Sequence, residues 1–161
     1  MEESCGILER MDALNRQILS LLQNDGRMTT TELAQEVGLS LSSCHRRLKD
    51  LEATGAIERY RAVIDPTAVG LSFEAIVFVT MRTTDLDVIA TFEASVANEP
   101  SIVEAQRLFG EPDYLLRVLA VDMRAYQELY DTKLGALPGV QRLTSTLVMK
   151  QISTDRAIPI P

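Results

Sequence analysis

The chain has 161 residues, enough for one domain or for two small domains of about 60–90 residues each. It carries 16 Lys and Arg residues against 23 Asp and Glu residues, a net charge of −7 at pH 7, and 46% of its residues are hydrophobic. This composition suits a folded core. It excludes a polybasic protein that coats nucleic acid, because bulk phosphate binding needs a positive field. A local basic patch on an acidic body remains compatible with it.

Membrane insertion and export are not expected. The longest apolar run, Ala75–Met81, contains a Thr and is far shorter than the roughly 18 residues that a membrane span needs. The first ten residues are acidic where a secretion signal would be basic and then apolar. Cys5 and Cys44 are the only cysteines, which excludes a disulfide framework and a thiolate zinc site. We therefore expect a protein of the reducing cytoplasm.

The sequence lacks the equipment of an enzyme. No nucleophile elbow, zinc-protease motif or phosphate-binding glycine loop occurs, and His45 is the only histidine. Cys44 precedes it directly, but adjacent residues on a helix point about 100° apart and do not face each other. We interpret that pair as structural rather than as nucleophile and base. We predict no catalytic residue, no metal and no cofactor.

The first half of the chain carries successive helix signals. Asp12 precedes an apolar repeat at helical spacing, which predicts an N-cap, and Gly26 follows its end. Thr29 and Glu32 have the spacing of a capping box and open a second helix, which is expected to end at Gly38. Two short helices joined by a tight glycine turn indicate a helix-turn-helix.

Ser40 predicts the start of the third helix, which should end before Gly55. Cys44 is interpreted as a small core residue, with a redox switch as the alternative. The residues expected to face the core are Leu41, Cys44, Leu48 and Leu51.

Hydroxyl and basic side chains on the outer side of this third helix match what a DNA major groove accepts. The segment Ile57–Ile64 then alternates in part and ends at Asp65-Pro66, which predicts a two-stranded wing beside the phosphates. Residues 42–61 hold five basic against three acidic residues, a net charge of +2. A solvated helix face is the alternative, but the order of these signals favours DNA binding. The predicted DNA-contacting residues are Ser40, Ser42, Ser43, His45, Arg46, Arg47, Lys49, Arg59 and Arg61.

The second half alternates between strand and helix patterns in the order β-α-β-β-α-β. This order predicts a ferredoxin-like unit, a four-stranded antiparallel sheet with both helices on one face. The other face is expected to be apolar and to mediate dimerisation. Strands are predicted over residues 73–82, 102–109, 114–120 and 140–152, with helices capped by Asp85 or Asp87 and by Asp122.

The predicted fold class is therefore α+β. We expect a winged helix-turn-helix over residues 1–65, a linker over 66–72, a ferredoxin-like domain over 73–152 and a tail over 153–161. The string Gly110-Glu111-Pro112-Asp113-Tyr114 has two interpretations. It is either a plain turn between strands, or a turn whose carboxylate lies in an interface cleft and binds the ammonium group of an amino acid.

Several strings together form a recognisable pattern over nearly the whole chain. They include Glu32-Leu33-Ala34, Val37-Gly38-Leu39-Ser40, Cys44-His45-Arg46-Arg47-Leu48, Gly110-Glu111-Pro112-Asp113-Tyr114 and Leu137-Pro138-Gly139-Val140. With them the sequence resembles the Lrp/AsnC family, the leucine-responsive or feast/famine transcriptional regulators. The resemblance implies a winged helix-turn-helix joined to a ferredoxin-like effector domain, homodimers that assemble into octamers, and an amino acid as effector. It also implies a protein of the bacterial or archaeal cytoplasm, associated with the nucleoid.

The resemblance also assigns site residues. Ser42, Ser43 and Arg47 match positions that meet DNA. Arg107 stands where leucine-sensing members often carry an apolar residue, and it could pair with a carboxylate ligand or with Glu104 or Asp113. The residues implicated in the effector response are Arg107, Gly110, Asp113, Tyr114, Met123, Thr146, Leu147 and Val148.

Two other functions are alternatives to a regulator. An architectural protein that compacts DNA without an effector would show little sequence preference. An enzyme of amino-acid metabolism with a ferredoxin-like regulatory domain is disfavoured by the missing catalytic constellation.

Overall fold

The structure, a computed structural model, describes residues 11–153 and 156–161. These residues divide into two compact units, one that reaches to Val63 and includes the C-terminal residues from Ser153, and one over Ile64–Ile152. The acidic N-terminal segment and Cys5 lie outside the described residues. Within the described ranges, no helix is long and apolar enough to cross a bilayer.

Three helices lie in the described part of the first unit, and each begins at its predicted cap. The Asp12 side chain accepts a hydrogen bond from the backbone N–H of Asn15 at 2.8 Å. Thr29 makes the predicted capping box, and Ser40 caps the third helix. These side chains satisfy backbone N–H groups that have no partner in the first turn of a helix. The helices are α1 (Ala13–Asn24), α2 (Thr30–Glu36) and α3 (Leu41–Ala53).

The turn between α2 and α3 has the geometry of a helix-turn-helix. Gly38 adopts a φ of 68°, a conformation that side chains disfavour. The N–H of Leu39 donates to the carbonyl of Ala34 at 2.9 Å and closes the turn. The buried core beneath it consists of Ile18, Leu33, Ala34, Val37, Cys44 and Leu51.

Two expectations for this unit are wrong. Leu41 is 54% exposed, because it lies at the very start of α3 and Leu39 packs against the core instead. Residues 58–65 form no strand, so the two-stranded wing predicted over Ile57–Ile64 is not formed among the residues that the structure describes. No turn within this segment folds it back on itself, so it cannot pair with itself as a hairpin.

The second unit is the predicted ferredoxin-like fold. Its elements are β1 (Phe73–Met81), α4 (Leu86–Ala97), β2 (Ile102–Arg107), β3 (Tyr114–Ala120), α5 (Met123–Thr132) and β4 (Val140–Leu147). The strands pair only antiparallel, in the order β2-β3-β1-β4, so β1 and β3 are central and β2 and β4 are edges. Asp85 caps α4 and Asp122 caps α5, as expected.

One face of this sheet is buried by the helices. Alternate residues of β1 and β3, including Val77 and Leu116, are buried with Phe92 of α4 and Tyr126 of α5. This alternation follows from the two-residue period of a strand and places both helices on the same face.

The opposite face is mixed rather than uniformly apolar. Phe78 lies beside Leu115, and both are partly buried. Next to them Arg117 Nε donates to Glu74 Oε1 at 2.6 Å, and this ion pair is mostly buried. The expectation of a bare apolar face is therefore wrong, because this ion pair makes part of the face polar.

Strand β4 ends at Leu147, five residues before the predicted end at Ile152. It ends there because its partner strand, β1, begins at Phe73 and has almost no further residues to pair with. Leu147 already lies opposite Ala75, and one further bond, from Val148 N–H to the carbonyl of Glu74, uses the start of β1. A strand without a ladder partner cannot continue the sheet.

Replacing Gly139 with Ala should lower the melting temperature by about 5 °C, corresponding to roughly 2 kcal/mol. Gly139 has a φ of 72°, and an added Cβ would collide with Val88 Cγ1 and lie 3.0 Å from Met81 Cε. The matched control is Gly26→Ala, where the nearest atom, the Leu22 carbonyl oxygen, is 3.7 Å away. Thermal unfolding followed by circular dichroism measures both, and equal melting temperatures would contradict this reading of the turn.

Candidate DNA interface and effector region

The outer side of α3 is the candidate DNA interface. Ser42, His45, Arg46 and Lys49 are exposed, whereas Ser43 is partly buried. Three hydroxyls cluster where the helix begins, with Ser40 Oγ 2.9 Å from Ser43 Oγ and 3.3 Å from Ser42 Oγ. Small hydroxyls at a helix N-terminus permit close approach of a phosphate, and the basic residues further along can reach base edges.

Arg47 has a different environment. Its Nη1 donates to Asp12 Oδ2 at 2.7 Å and to Asn15 Oδ1 at 2.9 Å, and its side chain is 23% exposed. Arg47 thus joins the recognition helix α3 to the start of α1. No local sequence signal could have identified this contact, because 35 positions separate Arg47 from Asp12.

The Asp12 carboxylate therefore serves two helices. The hydrogen bond from Asn15 N–H, the largest cause, and the bond from Arg47 lower the pKa of Asp12 from its ordinary value. Hydrogen bonds to an ionised carboxylate favour that form. The contact between α1 and α3 is accordingly strongest when Asp12 is charged.

The segment after α3 is tied to the recognition helix by one side chain. Tyr60 Oη donates to Glu52 Oε1 at 3.1 Å. Burial, and then Glu52, raise the pKa of Tyr60. Arg59 is exposed, and its Nη2 lies 3.7 Å from Glu58 Oε2. Arg61 is also exposed.

Cys44 and His45 do not form a reactive pair. Cys44 is fully buried in the core, and burial raises the pKa of its thiol. His45 lies on the exposed side of the helix. A buried thiol with a raised pKa is a poor nucleophile.

The turn between β2 and β3 holds Asp113 firmly. Its Oδ2 accepts from Met81 N–H at 2.7 Å, while its own N–H donates to the carbonyl of Val79 at 2.9 Å. Gly110 in the same turn adopts a φ of 136°. One carboxylate oxygen thus closes the end of β1, and an ionised carboxylate can accept further bonds.

Beside this turn lies a cluster of Arg107, Glu93 and Tyr114. Tyr114 Oη donates to Glu93 Oε1 at 2.7 Å, and Arg107 Nη1 lies 3.5 Å from the same oxygen. Burial, and then Glu93, raise the pKa of Tyr114 to about 12. The expectation that Arg107 pairs with Glu104 or with Asp113 is therefore wrong. Glu93 lies on α4, and this non-local pairing has no sequence signature.

The remaining candidate effector residues lie at the other end of the sheet. Thr146 is opposite Ile76 and Leu147 is opposite Ala75, whereas Tyr114 is opposite Val79. The two groups are thus about 10–13 Å apart along β1 at 3.3 Å per residue. The residues at this second end are Met123, Thr146, Leu147 and Val148, of which Met123 is 61% and Leu147 51% exposed.

Metal binding has no support in the part of the chain that the structure describes, where no cluster of three or more His, Cys, Asp or Glu side chains could hold an ion.

Comparison with known proteins matches both units. Residues 11–58 fit the profile of a winged helix-turn-helix DNA-binding domain. Residues 74–158 fit the profile of the Lrp/AsnC ligand-binding domain, which alone covers more than half of the chain. The chain belongs to the Lrp/AsnC family.

Three similar proteins support this membership. The transcriptional activator DecR of Escherichia coli K12 is 33% identical over 150 residues, which cover 93% of this chain and 99% of DecR. The leucine-responsive regulatory protein of Salmonella typhimurium is 35% identical, covering 93% of this chain and 92% of that protein. A crystal structure of a Neisseria meningitidis transcriptional regulator in complex with L-Met has a TM-score of 0.87 and 37% identity, covering 92% of this chain and 96% of that one.

This Lrp/AsnC member is therefore a DNA-binding transcriptional regulator with a ligand-binding domain. The predicted α+β fold class is confirmed, with a helix-turn-helix followed by a ferredoxin-like domain. The prediction that the chain is not an enzyme agrees with relatives that are regulators.

Replacing Asp12 with Asn should destabilise the helix-turn-helix unit by about 0.5 kcal/mol at pH 7, because Asn still caps α1 but loses the charge that pairs with Arg47. Because the folded pKa of Asp12 is lowered, its stabilisation is present above about pH 4, the pKa expected in the unfolded chain, and is lost as the pH falls through the folded value. The variant should show a shallower loss of stability on acidification.

Urea unfolding between pH 3 and pH 7 measures this difference. Asp50→Asn, which removes a carboxylate from the exposed side of α3, is the matched control and should behave as the parent. An acid profile of Asp12→Asn parallel to that of the parent would contradict the assignment.

Proposed function

We propose that this regulator binds specific DNA sequences through α3 and that an amino acid modulates its DNA affinity or its assembly. The observation that carries the proposal is the outer side of α3, where basic and hydroxyl residues are exposed in a helix-turn-helix whose recognition helix is held by Arg47. DNA contacts are assigned to Ser40, Ser42, Ser43, His45, Arg46, Lys49, Arg59 and Arg61. Arg47 was also predicted to contact DNA, but we propose instead that it orients the helix that carries most of these residues, because its Nη1 is already bound to Asp12 and Asn15.

Charge supports recognition of specific sites over general coating. The net charge of −7 repels DNA from most of the surface, while residues 42–61 carry a net charge of +2. Phosphate contacts supply most non-specific affinity, so a protein with few of them depends more on base and shape readout. A two-fold dimer would place two recognition helices about 34–36 Å apart, in successive major grooves.

The open face of the sheet supports homodimerisation, with octamers as the larger assembly. Its centre, Ile76, Phe78 and Leu115, is apolar and only partly buried, and the Glu74–Arg117 ion pair adjoins it. A self-complementary patch of this kind is what an isologous two-fold interface uses.

The effector site is proposed to lie between copies of the chain. Its two groups of candidate residues are at opposite ends of the sheet in one protomer, and a second copy would bring them together. Asp113 would bind the ammonium group of an amino acid, and Arg107 would bind the carboxylate in place of Glu93. The similar regulator solved with L-Met supports the amino-acid class. An effector of this kind acts through unequal affinity for the alternative assemblies.

The cytoplasm, in association with the nucleoid, is the proposed location, because the function needs access to DNA. An effector-independent architectural protein is the alternative and predicts no response to any amino acid.

Replacing Lys49 with Ala should weaken binding to all DNA sequences and reduce the slope of log affinity against log salt by about one. Lys49 is exposed on α3 and is proposed to contact a phosphate. Fluorescence anisotropy at several salt concentrations measures the slope. Lys133→Ala, at an exposed lysine of the other unit, should leave it unchanged. An unaltered slope for Lys49→Ala would refute the phosphate contact.

Replacing Asp113 with Asn should abolish the response to an amino acid and leave the melting temperature nearly unchanged. Asn keeps an oxygen that accepts from Met81 N–H but removes the charge that an ammonium group needs. The parent and the variant would be screened with the twenty amino acids by thermal shift and sedimentation velocity. Glu111→Gln, in the same turn, is the matched control.

Each result of this screen is informative. A selective response in the parent that disappears in Asp113→Asn supports the proposed site. An equal response in both proteins rules out Asp113 as the ammonium ligand, and no response in the parent favours the architectural alternative.

A further inference from the structure

A cavity of about 530 Å³ lies within the helix-turn-helix unit. Its walls are α1, the segment 56–60 and the tail residues 158–161, all of which belong to this one unit. Sites for small molecules have volumes of roughly 300–1,000 Å³ and mostly apolar walls with a few polar groups. This cavity, called the α1 cavity below, has that size, and its walls have that character.

Helix α1 contributes a wall that is apolar in its middle and polar at both ends. Arg16, Leu19 and Gln23 are three and four positions apart, so they lie on one face of the helix. Leu22 adds a second apolar side chain to this wall. Leu19 and Leu22 are only partly buried by the core of the unit. Part of their apolar surface therefore faces the cavity and is available to a ligand.

The tail contributes another wall, which Gln23 of α1 fixes in place. Gln23 Nε2 donates to the carbonyl of Ile158 at 3.3 Å, and Gln23 Oε1 accepts from the Ile158 N–H at 2.7 Å. Ile158 lines the cavity and yet is 70% exposed, while Ile160 is partly buried. The tail thus borders the cavity without filling it, and its isoleucine side chains offer apolar surface to a ligand.

The charged side chains around the α1 cavity favour an anion. Arg16 and Arg59 line it, and Glu58 is the only acidic side chain among the described residues that do so. Arg59 Nη2 lies 3.7 Å from Glu58 Oε2, whereas no carboxylate in the described part of the chain forms an ion pair with Arg16. A guanidinium with no acidic partner beside apolar walls can bind a carboxylate through two parallel hydrogen bonds.

We propose that the α1 cavity binds a monocarboxylate with a medium-length hydrocarbon chain, which lies between the apolar walls while the carboxylate pairs with Arg16. Burial of the chain supplies most of the affinity, and Arg16 sets the orientation. The ligand carries no ammonium group, because a second cation beside Arg16 and Arg59 would be repelled. This site is therefore distinct from the amino-acid site proposed for the other unit, and neither depends on the other.

Isothermal titration calorimetry of the full chain with octanoate, below its micelle-forming concentration, tests the site. Octanoate should bind, and 1-octanol, which has the same chain length without the charge, should bind more weakly. Arg16→Gln should weaken octanoate binding by about tenfold, the contribution of a hydrogen bond to a charged group, and leave octanol binding unchanged. Arg27→Gln is the matched control, because Arg27 is exposed just after α1 and does not line the cavity.

A second variant tests the apolar wall without changing a helix. Ile160→Asp should weaken octanoate and octanol alike, because both ligands need the apolar side chain of the tail. Ile152→Asp makes the same change at a side chain that is 91% exposed and does not line the cavity, so both affinities should stay at the parent values. Melting temperatures close to that of the parent show that each variant is folded.

Three results would overturn the proposal. The first is a parent protein that binds no octanoate. The second is binding that neither Arg16→Gln nor Ile160→Asp weakens, which would place the ligand elsewhere. The third is an equal loss in Arg16→Gln and Arg27→Gln, which would show a general attraction to positive charge. Asp113→Asn separates this site from the proposed function, because it should abolish the amino-acid response and leave octanoate binding unchanged.

Discussion

The ion pair between Arg47 and Asp12 sets the geometry of the DNA-binding unit. Asp12 both caps α1 and accepts from Arg47 of α3, so one carboxylate fixes the start of one helix and the rotation of another. With Arg47 turned inward, Ser42, Arg46 and Lys49 remain outside. The hydroxyl and basic face proposed to read DNA follows from this single contact as much as from the apolar core.

In the second unit, the two faces of the sheet have different surroundings. Helices α4 and α5 bury one face, whereas the mixed face is not covered by a helix of this unit. The candidate effector residues lie at the two ends of this sheet rather than in one cavity. Under the proposed function, assembly and effector response would be linked, because a second copy would complete the interface and the ligand site together.

Local signals were predictable from the sequence, and contacts between distant residues were not. The caps at Asp12, Ser40 and Asp122 depend on neighbours three residues away, and all three are confirmed. The exposed position of Leu41 depends on where α3 begins relative to the core, which periodicity does not reveal. The pairs Arg47–Asp12, Arg107–Glu93 and Gln23–Ile158 join residues 14 to 135 positions apart, and no spacing rule identifies them.

The net charge of −7 gives the sharpest test of the whole account, because it separates specific recognition from general attraction to phosphate. The decisive measurement is the ratio of dissociation constants for random DNA and for a duplex selected from a random library, determined at physiological salt. Specific binding through α3 predicts a ratio of about 1,000 or more. A ratio near one would contradict the claim that this protein reads DNA sequence.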